Sequence, residues 1–310
     1  MQGGDFEVDG RAAGARLDAF LGERLGLSRA ETRRLLARRV VSVDGHTRDA
    51  GAKGQRLLMG ARVEVAPFTP RADQRILAAP ELELTILAEG PDWLALDKPA
   101  GLPVHPYRED ERATAAGYAV SLRPQMQGVG EGGLRSGVVH RLDVDTSGVL
   151  LLATQDAAWR RLRRAFRRHR VAKCYRAIAL GALEDSGRVE LGLRVAQHRP
   201  ARVAVAEPGR AQAQGGVRRT RLAWHVLERL RGGCLVEVDM ETGFLHQVRA
   251  TLAHLGAPLA GDRVYGPAPE ADPSSFARHM LHAASLEFEE IRAESPDPPD
   301  FAAALERLRG

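Results

Sequence analysis

The sequence predicts an α+β protein, with a domain built on a mixed, largely antiparallel sheet and a small α/β module ahead of it. Three observations carry that expectation. Short apolar runs recur from about residue 82 to 290 without the regular strand–helix alternation of a parallel sheet. Turn signals at Asp44-Gly45 and Gly90-Pro91-Asp92 lie between such runs and favour hairpins. Helical patterns are few, and the most regular of them is strongly basic.

The elements follow in order. Residues 15–21 read as a helix with Leu17, Phe20 and Leu21 on one face. Ser28 caps a second helix, and Glu31 at its third position completes a capping box. There Arg29 and Arg33, and Arg34 and Arg38, are spaced to stack along the surface, while Leu35 and Leu36 face inward. A strand at 40–43, the Asp44-Gly45 turn and a strand at 63–65 close a module over residues 11–66. Pro67, Pro70 and Pro80, with Arg71, Asp73 and Gln74, mark 67–81 as a linker. Within 82–290, residues 84–87 and 93–96 flank one turn, and 138–139 and 149–153 flank another. A helix at 156–169, strands near 175–180, 222–227 and 234–240, and a helix at 246–255 follow. The proline-rich stretch 294–300 sets off a tail over residues 291–310, whose short helix carries Phe301, Leu305 and Leu308 on one side.

Composition narrows the class. Hydrophobic residues make up 44% and charged residues 27%, enough for a sizeable core. Aromatic residues are only 5%, too few for the serial base stacking of non-specific single-strand binders. A net charge of +5 favours an anionic partner, nucleic acid before membrane. Cys174 and Cys234 lie far apart, which argues against a disulfide framework and a cysteine-rich zinc site. His246 and His254 lack zinc-helix spacing. The polar start lacks an apolar signal core, and no apolar run reaches the roughly eighteen residues of a membrane span, so a reducing, cytoplasmic setting is expected; the chain is expected to be a monomer. Residues 128–133 match a dinucleotide-type glycine spacing but precede a strand rather than a helix, and read as a flexible loop. The densest basic cluster includes Arg160, Arg163, Arg164 and Arg167, with Trp159, Leu162 and Phe166 as a buried stripe. Like charges at that spacing weaken a helix, so an anionic partner makes physical sense of the run.

The chemistry concentrates in His140-Arg141-Leu142-Asp143-Val144-Asp145-Thr146-Ser147-Gly148, followed by the apolar run 149–153. A carboxylate at such a turn has its attack angle fixed by the backbone. These residues resemble the signature of pseudouridine synthases of the RluA type, in which this aspartate is catalytic. Four further stretches share the resemblance: 94–106 with Asp97-Lys98-Pro99 and His105, 173–177 with Tyr175, 242–249 with Arg249 followed by 261–266, and Leu281-His282-Ala283. The module over 11–66 resembles the RNA-binding domain named after ribosomal protein S-four, although Arg39 stands where a small residue is usual.

The resemblance implies an isomerase that breaks a uridine's carbon–nitrogen glycosidic bond, turns the base and rejoins it through ring carbon five. That reaction needs neither cofactor nor metal. Asp143 would attack the ribose anomeric carbon or assist glycal formation. Arg249 would pair with it, since a carboxylate in a partly buried pocket needs a cation to stay ionised. Tyr175 would sandwich the uracil and offers an oxygen that could act as a base. Arg141 would fill the gap left by a flipped nucleotide. RNA contacts are expected from Arg29, Arg33, Arg34, Arg160, Arg163, Arg164, Arg167, Lys98 and His105, with ribosomal RNA the first candidate partner and tRNA the second. The family's usual arginine after Thr-Gly is Phe244 here. Two other readings stand beside this one: a non-catalytic RNA-binding or ribosome assembly protein that keeps the fold, and a nucleoside hydrolase or glycosylase using the same carboxylate.

Overall fold

The computed structural model describes residues 1–198, 200–206, 216–267 and 276–309, with only the backbone at Ala72. The chain divides into two compact units, Met1–Gln74 and Arg75–Gly310.

The first unit contains β1 (Gln2–Glu7), α1 (Leu17–Leu25), α2 (Arg29–Ala37), β2 (Val41–Val43), β3 (His46–Arg48) and β4 (Arg62–Phe68). Its antiparallel sheet runs β1-β4-β2-β3. The capping box forms: Ser28 Oγ accepts from the Glu31 N–H, and the Glu31 carboxylate accepts from the Ser28 N–H at 2.9 Å. Between β2 and β3, Asp44 (φ 51°) and Gly45 (φ 75°) give the doubly left-handed turn that suits strand twist. Arg39 also has positive φ, 58°, which is the physical reason a glycine would fit there better. Leu17, Phe20, Leu21, Leu35, Leu36, Val41, Val43 and Val63 form the core. Strand β1 escapes sequence reading because Gln2-Gly3-Gly4-Asp5 carries no β-branched side chain, and its pairing with β4 is a matter of backbone.

The second unit contains β5 (Ile86–Glu89), β6 (Trp93–Lys98), α3 (Ala115–Leu122), β7 (Ser147–Ala153), α4 (Asp156–Arg167), β8 (Ala172–Leu180), β9 (Ser186–His198), β10 (Ala201–Val205), β11 (Arg218–Leu230), β12 (Gly233–Met240), α5 (Gln247–His254), β13 (Leu281–Phe288), β14 (Ile291–Glu294) and α6 (Pro299–Arg309). Among the described residues one sheet runs β10-β9-β11-β12-β8-β13-β7-β6-β5, with β14 paired to β13. Within it only β7 and β13 are parallel, so the sheet is mixed and largely antiparallel. The run 149–153 is apolar throughout because β7 is covered on both faces. Leu150 and Leu152 pack with Leu94, Leu96 and residues of α3 and α5, while Val149 and Leu151 pack with Trp93, Ala95 and the Ala158–Leu162–Ala165 stripe of α4. Gly148 (φ 108°) lets β7 approach β13, since a Cβ there would collide with the Ala283 carbonyl. Among the described residues, no helix is long and apolar enough to cross a membrane.

Several expectations need correction. The linker read at 67–81 is shorter: Phe68 is buried in the first unit, while Ile76 and Ala79 are buried in the second, with Gln127 bonded to both backbone groups of Ile76. The tail expected at 291–310 is not separate over its described residues, 291–309. β14 joins the sheet, and Phe301, Leu305 and Leu308 of α6 pack on Ile178, Leu180 and Leu235. Residues 128–133 are not a free loop: the Gly130 N–H donates to Asp156 Oδ1, and a Cβ on Gly130 would strike the Trp159 ring. No strand forms at 138–139, where Val138 makes a single bridge to Leu152. Strand β9 is absent from the sequence expectation although Val189, Leu191, Leu193 and Val195 alternate along it.

Candidate active site

Asp143 lies in the turn that feeds β7. The Thr146 N–H donates to the Asp143 carbonyl at 3.1 Å and closes that turn. The carboxylate is 19% exposed and opens on a cleft of about 780 Å³, a size suited to a small ligand or a single extruded nucleotide. Helix α5 brings Arg249 to it, and Arg249 Nη1 donates to Asp143 Oδ2 at 3.0 Å. The rest of the guanidinium is committed elsewhere: Nε donates to Asp262 Oδ2 at 2.7 Å and Nη2 to Asp262 Oδ1 at 2.9 Å. Asp262 has no exposed side-chain surface and also accepts the N–H groups of Val264 and Tyr265. A buried carboxylate thus grips the fork of Arg249 and aims its remaining edge at Asp143. Burial lowers the Arg249 pKa, yet bonds to Asp262 and the charges of Asp262 and Asp143 raise it further than burial lowers it. Burial likewise pushes Asp262 up, and Arg249 pulls it below the ordinary carboxylate value.

The turn after Asp143 is anchored residue by residue. The Val144 carbonyl accepts from the Gly101 N–H and from Lys98 Nζ, both at 2.9 Å. Arg278 Nη1 donates to the Asp145 carbonyl at 3.1 Å. Thr146 Oγ1 meets His279 Nε2 at 2.9 Å, and Ser147 Oγ meets His282 Nδ1 at 3.0 Å. Gly148 then enters the parallel pairing with Ala283. Such fixation holds a carboxylate near one geometry without waiting for substrate.

Around the cleft, β8 supplies Tyr175 and, two residues earlier on the same face, Lys173. Tyr175 is buried, and burial together with the Asp143 charge raises its pKa well above the phenol range, so the ring is neutral. Lys173 Nζ donates to the Thr242 carbonyl at 3.2 Å, and burial pushes its pKa down to about 8. His140 accepts from the Leu151 N–H at 2.9 Å and stacks on Phe166; burial, then Lys173 and Arg163, hold it down to about 3. His246 Nε2 lies 3.7 Å from Asp143 Oδ2, while its Nδ1 is 2.9 Å from Tyr265 Oη.

This geometry meets the comparisons with known proteins. Residues 92–254 match the family of RNA pseudouridylate synthases. Over 98% of the chain and 88% of the other protein, the sequence is 34% identical to the ribosomal large subunit pseudouridine synthase D of Nitrosomonas europaea. The chain belongs to the RNA pseudouridylate synthase family. Two human structures agree. RNA pseudouridylate synthase domain containing 1 has a TM-score of 0.57 at 25% identity, covering 72% of this chain and 87% of the other. RNA pseudouridylate synthase domain containing 4 has the same fold, with a TM-score of 0.58 at 22% identity over 72% and 92%.

Within the synthase, the residues expected to contact RNA separate into groups. Arg141 is exposed on the cleft, and Arg167 lies on its rim. Arg160 and Arg164 are exposed on α4, as are Arg29, Arg33 and Arg34 on α2 of the first unit. Arg163 is half-buried and spends Nη1 on the Val139 carbonyl at 3.0 Å.

Two expectations fail. Lys98 has 0% exposure, and its ammonium donates to the carbonyls of Pro99, Leu102 and Val144 at 2.8–2.9 Å. It cannot reach RNA; it pins the Asp143 turn to the loop after β6. Burial pushes its pKa down to about 7, while three converging carbonyls call for the three N–H groups of the charged form. His105 is also buried, with Nδ1 3.0 Å from the Pro106 carbonyl and its ring against Tyr107.

Phe244, in place of the usual arginine, packs against the cluster of Leu193, Val203 and Ala250, and its N–H donates to Gln247 Oε1 at 3.1 Å. The Thr242–Phe244 turn therefore keeps its support through Gln247, which also bonds Thr242 Oγ1 and the Arg221 carbonyl. Sequence reasoning assigns no role to Asp262, Arg278 or His279. Asp262 falls within the 261–266 stretch of the resemblance, but its partner Arg249 lies thirteen residues away and only the fold brings the two together.

Proposed function

We propose that this synthase isomerises uridines in ribosomal RNA of the large subunit, with Asp143 as the nucleophilic carboxylate, Arg249 as its fixed counter-charge and Tyr175 as the ring against which the uracil packs. The observation that carries the reading is the Asp143 carboxylate lining the cleft, held by an arginine that a fully buried aspartate orients. The relatives' names supply the RNA class. A carboxylate at this place serves either attack on the anomeric carbon or assistance to glycal formation. The neutral phenol of Tyr175 suits ring packing better than proton removal, since burial disfavours its phenolate.

Arg141, Arg167 and the exposed face of α4 would hold the strand around an extruded nucleotide. The first unit, over residues 1–74, would act as a tethered S-four-like RNA-binding module. A monomer working in the cytoplasm belongs to the same proposal.

The test pairs wild type with Asp143→Asn on large-subunit ribosomal RNA transcripts, mapping pseudouridine and measuring RNA affinity. Pseudouridine at discrete sites with wild type, and none with the variant at unchanged affinity, is expected. Turnover by the variant at a tenth of the normal rate would defeat the nucleophile assignment. Activity on tRNA but not ribosomal RNA would defeat the substrate assignment.

A further inference from the structure

Arg278 touches neither the cleft nor Asp143, yet it is among the most heavily bonded side chains of the second unit. It is 6% exposed and lies just ahead of β13. Nη1 donates to the carbonyls of Asp145 (3.1 Å), His279 (3.1 Å) and Leu281 (3.2 Å). Nη2 donates to Ser147 Oγ at 3.3 Å and to Asp300 Oδ1 at 3.0 Å, and Nε donates to Asp300 Oδ2 at 2.6 Å. All five N–H groups of the guanidinium are therefore in use. A lysine offers three donors from one point and could not span these acceptors.

Two of those acceptors, the Asp145 carbonyl and the Ser147 hydroxyl, belong to the turn that carries Asp143. On the other side, Asp300 stands in the first turn of α6, a helix seated on the sheet by Phe301, Ala304, Leu305 and Leu308. Asp300 Oδ1 also accepts the Phe301 N–H at 2.9 Å, so the helix fixes the carboxylate that fixes the arginine. Lys98 holds the same turn from the opposite flank, at Val144. The turn is thus clamped between two buried cations, one rooted in the loop after β6 and the other in the C-terminal helix.

We propose that Arg278, bracketed by Asp300, is a positioning residue for the Asp143 turn, which makes helix α6 part of the apparatus that sets the nucleophile's geometry. This rests on the reading of Asp143 as the nucleophile. Displacement of a reacting group by about 1 Å can cost on the order of a hundredfold in rate, so a loosened turn is read in turnover rather than in binding. The RNA-facing arginines of α4 and the cleft are left in place by changes at Arg278 or Asp300.

The experiment uses the full chain with Arg278→Lys and Asp300→Asn, and with Leu308→Ala as a control that trims the packing of α6 about two turns beyond Asp300 and leaves the first turn and the clamp in place. Thermal unfolding, RNA affinity, single-turnover rate at saturating RNA and amide exchange at Thr146 are measured on each. Both clamp variants should fold and bind RNA within about twofold of wild type, lose about tenfold to a hundredfold in single-turnover rate, and exchange the Thr146 amide about tenfold faster. Leu308→Ala should lower the melting temperature yet keep rate and exchange near normal when assayed while folded. Folded clamp variants with normal rate, or with unchanged exchange at Thr146, would overturn the proposal. So would a rate loss matched by Leu308→Ala, which would reduce the clamp to general support. Exchange needs no RNA, so a wild type inactive on ribosomal RNA would defeat the functional reading while Thr146 still decides the positioning.

Discussion

Replacing Asp262 by asparagine tests the claim that a buried carboxylate, rather than Asp143, sets the orientation of Arg249. Asp262 makes two charge-assisted bonds to Arg249, at 2.7 and 2.9 Å, and its side chain is wholly buried. Asparagine keeps one acceptor, able to serve the Val264 and Tyr265 N–H groups, but turns an NH2 toward Arg249. Removing one partner of a buried pair costs roughly 3–5 kcal/mol, because the remaining charge is left without compensation. Asp143 still holds Arg249 by one bond, so the low end of that range is expected, about 3 kcal/mol. For a domain of this size that corresponds to a fall of roughly 6–12 °C in Tm.

The rate should fall as well, since the guanidinium edge facing Asp143 loses its template. A loss of about 1.4–2.7 kcal/mol of transition-state stabilisation would be a drop of roughly tenfold to a hundredfold. The pH dependence has a definite sign. Arg249 holds the folded Asp262 carboxyl below its unfolded value, so its contribution is complete above about pH 4 and is lost as pH falls through the folded pKa. The stability gap between wild type and Asp262→Asn should therefore narrow in acid. Denaturant unfolding at several pH values, with single-turnover kinetics at neutral pH, measures all of this. A stability change under about 1 kcal/mol with normal turnover would refute the reasoning, because a buried bidentate pair cannot be that dispensable.

Lys98→Met should leave RNA affinity unchanged while destabilising the second unit by several kcal/mol, since three buried carbonyls lose donors at about 1–3 kcal/mol each; weaker RNA binding in a stable variant would restore Lys98 to the interface. Burial places Lys173 at about 8, so it sheds its charge as pH rises through that value. RNA affinity of wild type should fall across that range more steeply than that of Lys173→Met, as titrations at fixed ionic strength would show. Changing Arg160, Arg164 and Arg167 to glutamine should flatten the salt dependence of binding by about 0.7–0.9 log units for each phosphate no longer neutralised; an unchanged slope would make that helix face a solvated one. Deleting residues 1–74 should raise KM and leave kcat nearly intact, because a tethered module acts through local concentration; loss of turnover at saturating RNA would show that it helps build the cleft.

The sheet class was legible in the sequence because it depends on local pattern, whereas the pairing of Asp143 with Arg249, 106 residues apart, was expected only from the family resemblance and from the need of a partly buried carboxylate for a cation. Apolar continuity at 149–153 identified a strand covered on both faces, and the Asp44-Gly45 turn dictated its hairpin. Lys98 and His105 were misplaced for a common physical reason. A charged residue in a proline- and glycine-bearing loop reads as exposed, and only the fold shows three carbonyls converging on one ammonium, one of them on Val144. Arg278 was silent for the same cause, since its acceptors lie on Asp145, Ser147 and Asp300. Strand β1 and the shorter linker rest on backbone pairing and on three buried side chains, Phe68, Ile76 and Ala79, too few to stand out from their polar neighbours.

The division of Arg249 between two carboxylates bears on how Asp143 can be both held and reactive. A guanidinium locked edge-on to the nucleophile would satisfy both of its oxygens and make it a poor attacker, because each charge-assisted bond withdraws a lone pair. Here the paired bonds go to Asp262, and Asp143 receives one, at Oδ2. His246 faces that same oxygen at 3.7 Å. Under the proposed mechanism, Oδ1 is the oxygen left to the ribose. Asp262 thus does two things at once: it keeps a cation beside a carboxylate in a partly dry cleft, and it keeps that cation from claiming the whole carboxylate. The anchored turn completes the arrangement. A carboxylate restrained by one arginine bond must take the rest of its aim from the backbone, and residues 144–147 are the stretch that Lys98, Arg278, His279 and His282 hold.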